Sequence, residues 1–186
     1  METWMIWAIV GLLVVVFIGL YNRIVKLVQT RKNAFSDIDV QLKLRHDLIP
    51  NLVETVKGYA SHEKDLMTQV TEARATAMRG GSIADRSGAE AALGAAMMNL
   101  MAVAENYPDL KADSSFVNLQ NELSDIENKI AAARRFFNNS TNEYNATIQQ
   151  FPAVIIARMF GFGEEVYFEM SEEEKAVAEK APDVSF

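Results

Sequence analysis

The feature that most constrains this chain is an apolar run close to its first residue. Residues 4–21 read WMIWAIVGLLVVVFIGLY, and none of these eighteen positions carries a charge. A helix of this length spans about 27 Å, close to the hydrocarbon thickness of about 30 Å in a bilayer. Trp4 and Trp7 mark one end and Phe17 and Tyr21 the other, as aromatic residues do at membrane interfaces. The run predicts a transmembrane anchor with a short outer tail over residues 1–21.

Two other readings of the apolar run are disfavoured. A cleaved signal peptide needs a basic start and a small-residue cleavage site, whereas this chain begins Met1-Glu2-Thr3 and shows no A-x-A after the run. A buried core helix at the start of a chain is rarely apolar on every face. The residues therefore favour a retained single-pass anchor.

The charges that flank the run predict its orientation. The only charged side chain before the run is that of Glu2. After the run come four basic residues, and the first acidic residue that follows them is Asp37. These basic residues are Arg23, Lys26, Arg31 and Lys32. The positive-inside rule then places the N-terminus outside and the C-terminal domain in the cytoplasm, at the inner (plasma) membrane.

Composition narrows the remaining fold and function classes. Four prolines and nine glycines in 186 residues supply few turns, which favours long helices over many short strands. The absence of cysteine excludes disulfides, thiol catalysis, cysteine-type zinc sites and lipoprotein acylation of this sequence. A net charge of −7 argues against nucleic acid as a partner.

Apolar spacings of three and four predict that residues 22–152 form an antiparallel bundle of about four long helices, an all-α fold. The clearest of these helices covers residues 116–151, with a seam typical of helices that pack at shallow angles. Pro50 predicts either a kink or a boundary between two helices, with Asp47 as the cap of the second. A second apolar stripe, from Ile49 to Ala77 and including Arg74, runs through Gly58, and a helix boundary at Ser61 is the alternative to one continuous helix there.

The connections between the later helices also carry sequence signals. Residues 79–86 have the composition of a loop, and Ser87 with Glu90 fits a capping box that would start the third bundle helix. Tyr107-Pro108-Asp109 would end it. In the last long helix, Glu127 is read as part of a solvated face with Arg134 and Arg135.

Two further segments follow the bundle. Residues 153–163 form a short apolar stretch, predicted to cap the bundle, with a position on the bilayer surface as the alternative. Residues 164–186 form an acidic C-terminal tail with eight acidic residues and two lysines. Residues 22–58 contain seven basic and four acidic residues. The net charge is therefore positive at the start of the predicted cytoplasmic part and negative in its tail.

Candidate catalytic or metal-binding residues are scarce. Neither His46 nor His62 has a glutamate three positions before it, so the Glu-x-x-His pairs of metal-binding bundles are absent. His62-Glu63 begins like a zincin helix, but Leu66 stands where its second histidine would be. The sequence predicts no catalytic, cofactor-binding or metal-binding residue, no cofactor and no enzymatic activity.

Several stretches taken together resemble the LemA family. The main carriers are residues 32–43 (KNAFSDIDVQLK), 45–59 (RHDLIPNLVETVKGY), 107–112 (YPDLKA) and 133–138 (ARRFFN). The resemblance implies a single N-terminal anchor with its N-terminus outside, a helical bundle behind it and no established enzyme activity. One part of it is unusually rich in polar groups: Asp37, Asp39, Lys43, Arg45, His46, Asp47 and Asn51.

The predicted anchor, the helices with apolar seams and the resemblance to the LemA family together predict a non-catalytic, membrane-anchored scaffold or adaptor. Its expected partners are the lipid bilayer, proteins not identified by the sequence, and copies of itself. One alternative is a ligand-binding sensor or enzyme that uses the polar residues around His46. Another is a membrane-remodelling protein that inserts its basic stretch and residues 153–162 into lipid.

Overall fold

The computed structural model describes residues 2–168, and every regular element in that part of the chain is a helix. The all-α prediction is therefore confirmed for the described residues. The helices are α1 (Glu2–Tyr59), α2 (Lys64–Ala77), α3 (Ile83–Ala104), α4 (Pro108–Ala112), α5 (Ser114–Gln149) and α6 (Ala153–Phe160). From residue 169 the predicted acidic tail lies outside the described residues.

The described residues group into two compact units. In unit 1, the part of α1 up to Asp39 packs with Ala132–Tyr167, and unit 2 contains Val40–Ala131 and Phe168. Both α1 and α5 contribute residues to each unit.

The core of unit 2 joins five helices. α1, α2, α3, α4 and the start of α5 all contribute apolar side chains to one buried cluster. Arg45 contacts Glu127 near one end of the paired helices and Tyr59 contacts Asp113 near the other, so α1 and α5 run antiparallel. The fully buried side chains in the core of unit 2 include Ile49, Leu52, Val56, Val70, Leu93, Leu100 and Leu110.

The core of unit 1 lies between α1, α5 and α6. Ile24 and Leu27 of α1 pack with Tyr144 and Ile148 of α5, and one face of α6 completes this cluster. α6 ends at Gly161, whose φ of 73° is readily adopted only by glycine, and the Phe162 amide donates to the carbonyl of Ala157.

Helix α1 continues through Pro50, which corrects the predicted boundary with Asp47 as a cap. The helix ends at Tyr59 and α2 starts at Lys64, so the alternative boundary at Ser61 is confirmed. A proline within a helix removes the N–H that would bond the carbonyl four residues earlier, here that of His46. The Arg74 side chain of α2 donates to this carbonyl at 2.7 Å and satisfies it instead.

The start of α3 is a second correction. The capping box is formed by Ser82 and Asp85, so Ser87 and Glu90 lie inside the helix and are buried. Ser82 Oγ accepts from the Asp85 amide at 3.1 Å, and Asp85 Oδ2 accepts from the Ser82 amide at 3.1 Å. The predicted loop is accordingly shorter, because α3 already begins at Ile83.

The end of α3 and the extent of α5 follow the prediction. α3 ends at Ala104, just before the Tyr107-Pro108 signal, and the short helix α4, which was not predicted, begins at this proline. α5 covers Ser114–Gln149 and contains almost all of the predicted seam of residues 116–151.

α1 is the one helix among the described residues that is long and apolar enough to cross a membrane. The side chains of its apolar run are exposed, with Trp7 at 74%, Leu13 at 62% and Phe17 at 38%.

Candidate functional site: a buried ionic cluster around His46

The structure brings only two of the polar residues singled out between positions 37 and 51 into the protein interior. Arg45 is 2% exposed and His46 is 7% exposed. The others lie on accessible parts of α1: Asp39 is half-buried, and Asp37, Lys43, Asp47 and Asn51 are exposed. A site built on the full set is therefore not present, and the candidate site is restricted to Arg45, His46 and their partners.

Helical periodicity explains why Arg45 and its partner point inward. Arg45 follows the buried Leu42 by three residues and precedes the buried Ile49 by four, so it lies on the core face of α1. Glu90 precedes the buried Leu93 by three residues and lies on the core face of α3. Opposite charges thus occupy one position in each of two facing apolar stripes.

The side chains form what we term the ionic cluster: Arg45, His46, Arg74, Glu90 and Glu127. Arg45 Nη2 is paired with Glu90 Oε2, and Arg45 Nη1 lies 2.7 Å from Glu127 Oε1. His46 Nε2 lies 2.9 Å from the second oxygen of Glu90, Oε1. Glu90 is 2% exposed, whereas the side chain of Glu127 is 46% exposed and marks the solvent side of the cluster.

Arg74 adds a contact from α2. Its Nε donates to the His46 carbonyl, the acceptor that Pro50 leaves without its usual amide. Members of the cluster therefore come from α1, α2, α3 and α5. The cluster connects four helices through charged and hydrogen-bonded groups within unit 2.

The charges around Glu90 keep it ionised. Burial raises the pKa of this carboxyl, but the contact with His46 and the charge of Arg45 outweigh burial, so the pKa lies below its usual value. A carboxylate held in the charged form is a poor general acid near neutral pH. Its role in the cluster is to neutralise the buried guanidinium.

The chemistry available to the cluster is limited by its closure. Both oxygens of Glu90 are occupied by partners from α1, and the guanidinium of Arg45 bridges two carboxylates. In the described part of the chain, no three histidine or acidic side chains converge as metal ligands would. The arrangement can hold helices in register, and its inner groups are closed to a substrate from solvent.

Sequence reasoning missed three members of the cluster. The capping-box pattern of Glu90 and the solvated face of Glu127 predict exposed positions, and the apolar stripe that includes Arg74 predicts no polar partner for it. A usable signal existed for Glu90, since positions 90, 93, 97, 100 and 104 follow one seam. An acid on such a seam predicts a buried basic partner. No comparable signal exists for Glu127, because its position in the sequence of α5 does not indicate that its side chain contacts Arg45.

The helices and the cluster define a class of protein: an all-α bundle behind a long apolar N-terminal helix, braced by buried charges. Comparison with models of protein families gives a specific match. The family model described as LemA family matches residues 34–186, so this chain belongs to the LemA family.

Individual relatives are more distant. The magnetosome protein MamQ of Magnetospirillum gryphiswaldense is 26% identical over 174 residues, which cover 80% of this chain and 64% of that protein. MamQ 1 of Paramagnetospirillum magneticum is 26% identical over 175 residues, with the same coverage. Protein LemA of Metamycoplasma hominis is 23% identical over 171 residues, 89% of this chain and 76% of that protein. The chain thus spans less than two thirds of the length of the MamQ proteins.

Proposed function

We propose that this LemA-family chain is a single-pass, membrane-anchored helical scaffold or adaptor without catalytic activity, which organises proteins or membrane at the cytoplasmic face. The observation that carries the proposal is the exposure of the apolar run on α1. From Trp4 to Ile18 its large apolar side chains are between 38% and 74% exposed. Apolar surface of this extent is costly in water, and lipid is the partner that matches its length.

The flanking charges support the proposed orientation. Arg23 and Lys26 are exposed on the first turns after the run, where cytoplasmic basic residues are expected. The N-terminus would then lie outside, and the helical parts of both units that follow residue 21 would lie in the cytoplasm.

The ionic cluster supports a non-catalytic role. Arg45 is paired with Glu90 and Glu127, and Arg45 and Glu90 are each 2% exposed. Catalytic groups need access to a substrate and a protonation state matched to the reaction. The buried Arg45–Glu90 pair has no such access, and we assign it to holding the bundle together.

The names of the relatives are consistent with an organising role. Two of them are called magnetosome proteins, which refers to a cellular structure and not to a reaction. We extend this to the present chain as part of the proposal.

Topology is tested by single-cysteine labelling of intact cells with a membrane-impermeant maleimide, because the chain has no cysteine of its own. Ala84 is exposed in the first turn of α3 and, unlike Ser82, takes no part in the cap. We expect Ala84→Cys to be labelled only after cells are opened, and the control Thr3→Cys to be labelled in intact cells. Labelling of Ala84→Cys from outside would overturn the cytoplasmic assignment.

The scaffold role is tested by the mass of the full-length protein in mild detergent, measured by size exclusion with light scattering. A defined assembly, or a stable complex with a cytoplasmic protein, is the expected result. A monomer that carries a bound metal or metabolite in native mass spectrometry would favour a sensor at the ionic cluster and contradict the proposal.

A further inference from the structure

Helix α6 has apolar side chains on two different faces. Ala153, Ile156 and Ala157 are buried against α1 and α5 in the core of unit 1. On the other side, Ile155 is 51% exposed and Met159 is 65% exposed. Two aromatic residues extend this exposed surface, Phe160 at 50% and Phe151 at 81%. We term Phe151, Ile155, Met159 and Phe160 the outer face of α6.

The position of this outer face along α1 is fixed by ring contacts. The ring centroid of Phe160 lies 4.8 Å from that of Tyr21 and 6.2 Å from that of Phe17. Phe162, just beyond the helix, lies 6.1 Å from Tyr21. Phe17 and Tyr21 form the last turn of the apolar run. The C-terminal end of α6 is therefore at the same level as the end of the proposed membrane span.

The thickness of the bilayer regions and the rise of the helix place the C-terminal end of α6 in the bilayer interface. The headgroup region adds roughly 5–8 Å to each side of the hydrocarbon core. Tyr21 follows Ile18 by three residues, a rise of about 4.5 Å along the helix. A side chain in contact with both Phe17 and Tyr21 thus falls at the boundary between acyl chains and headgroups.

The basic side chains near the outer face of α6 also favour a position in the bilayer interface. Arg158 is exposed on α6, and Arg23 and Lys26 are exposed on the adjacent turns of α1. Exposed cations beside large apolar side chains are the pattern of helices that lie in an interface with anionic lipids.

We propose that α6 is a second membrane contact, which lies in the cytoplasmic interface of the bilayer with its outer face against the acyl chains. The inference rests on the proposed anchor, because the ring contacts transfer the depth of the span to α6. The occupant of the outer face is anionic lipid, and the contact holds unit 1 against the membrane surface.

Site-directed spin labelling of the full-length protein in liposomes of phosphatidylcholine and phosphatidylglycerol tests the contact. Labels at cysteine report collisions with oxygen, which concentrates in lipid, and with a nickel chelate, which stays in water. The test variant is Met159→Cys, and Ile155→Cys provides a second position on the same face. The matched water control is Met98→Cys, since Met98 is 55% exposed on α3 in unit 2. The lipid control is Leu13→Cys within the apolar run.

We expect labels at positions 13, 155 and 159 to collide more with oxygen than with nickel, and the label at position 98 to show the reverse. Water-like behaviour at 155 and 159 with lipid-like behaviour at 13 would overturn the contact and leave the anchor intact. Water-like behaviour at 13 would overturn the anchor itself. Shielding of 159 from both reagents, with spin–spin broadening between copies, would show that a second protein copy covers α6 and would overturn the lipid assignment.

Discussion

Two arginines on α1, Arg31 in unit 1 and Arg45 in unit 2, hold carboxylates in very different surroundings. The side chains of Arg45 and Glu90 are each 2% exposed. Those of Arg31 and its partner Glu165 are 12% and 47% exposed. Water can replace the partner of Arg31, whereas the core of unit 2 offers no substitute for the partner of Arg45.

The contacts of Arg31 serve a different purpose from those of Arg45. Arg31 Nη1 lies 3.0 Å from Glu165 Oε2, its Nη2 donates to the Val166 carbonyl at 3.0 Å, and its guanidinium lies 4.8 Å from the centre of the Phe137 ring. Asn145 exchanges two hydrogen bonds of 2.9 Å with the backbone of Glu165. These groups fasten the chain after α6 along α1 and α5, at the edge of unit 1. The difference teaches that the same residue pair braces a core in one unit and tethers a surface segment in the other.

The largest expected effect comes from removal of one charge in the buried pair. Arg45→Met leaves Glu90 buried without its guanidinium partner, which we expect to destabilise unit 2 by about 3–5 kcal/mol. Hydrogen exchange of the α3 amides in the full-length protein, measured by mass spectrometry in detergent, should rise by 100-fold or more, since about 1.4 kcal/mol corresponds to tenfold.

Two variants sharpen this result. Arg45→Met combined with Glu90→Leu removes both charges and should regain most of the lost protection. Glu165→Gln, which removes the carboxylate charge of the exposed pair, should cost about 1 kcal/mol or less, and the matched change Glu90→Gln at the buried pair should cost more. Equal losses for Glu90→Gln and Glu165→Gln would show that burial does not distinguish the two pairs.

A smaller effect is expected where Arg74 supports the helix at Pro50. Arg74→Met leaves the His46 carbonyl without a donor, and an unsatisfied buried acceptor costs about 1–3 kcal/mol. In a Pro50→Ala background the helix regains its own amide donor, so the same Arg74→Met change should cost less. A double-mutant cycle, read by exchange of the amides near His46, measures this coupling.

The cycle has a clear contrary outcome. If Arg74→Met costs the same with Pro50 and with alanine at that position, the arginine acts through its packing alone and the helix tolerates the proline for another reason.

The smallest effect is a loss of stability in acid. Because the folded pKa of Glu90 lies below its usual value, the unfolded chain binds the proton more readily. The contribution of Glu90 is therefore complete above its unfolded pKa of about 4.3 and is lost as the pH falls through the lower folded pKa. We expect unit 2 to lose exchange protection in that range.

Removal of the Glu90 carboxylate tests the source of the acid effect. Glu90→Gln should reduce the pH dependence of unit 2. An unaltered pH profile in Glu90→Gln would assign the acid sensitivity to other groups.

The apolar seams of the helices were predictable, and most of the helix ends were not. The seam of α5 follows from local spacing, whereas the same spacing offered the break after Tyr59 only as an alternative. The sequence left open whether Pro50 kinks a helix or ends it, because the donor that satisfies the His46 carbonyl, Arg74, lies on another helix. The same limit applies to the cap of α3. Ser82 with Asp85 and Ser87 with Glu90 both satisfy the pattern, and only the burial of Glu90 against Arg45 decides between them.

The polar set around His46 was offered by the sequence only as an alternative site, and the structure buries two of its members, Arg45 and His46. Sequence reasoning identified a helix unusually rich in charged groups, but it could not separate the inward positions of Arg45 and His46 from the solvent positions of Lys43 and Asp47. The apolar stripe of α1 contained that information, since Arg45 falls on it by spacing.

The unbroken course of α1 within unit 1 has a mechanical consequence. No linker separates Tyr21 at the end of the apolar run from Ile24, the first fully buried residue of the unit 1 core. One residue added between them would turn the core by about 100° around the helix axis, and seven would nearly restore its phase. The packing around Ile24 therefore cannot turn independently of the apolar run, and a twist of this run about its own axis is transmitted as torque to that packing.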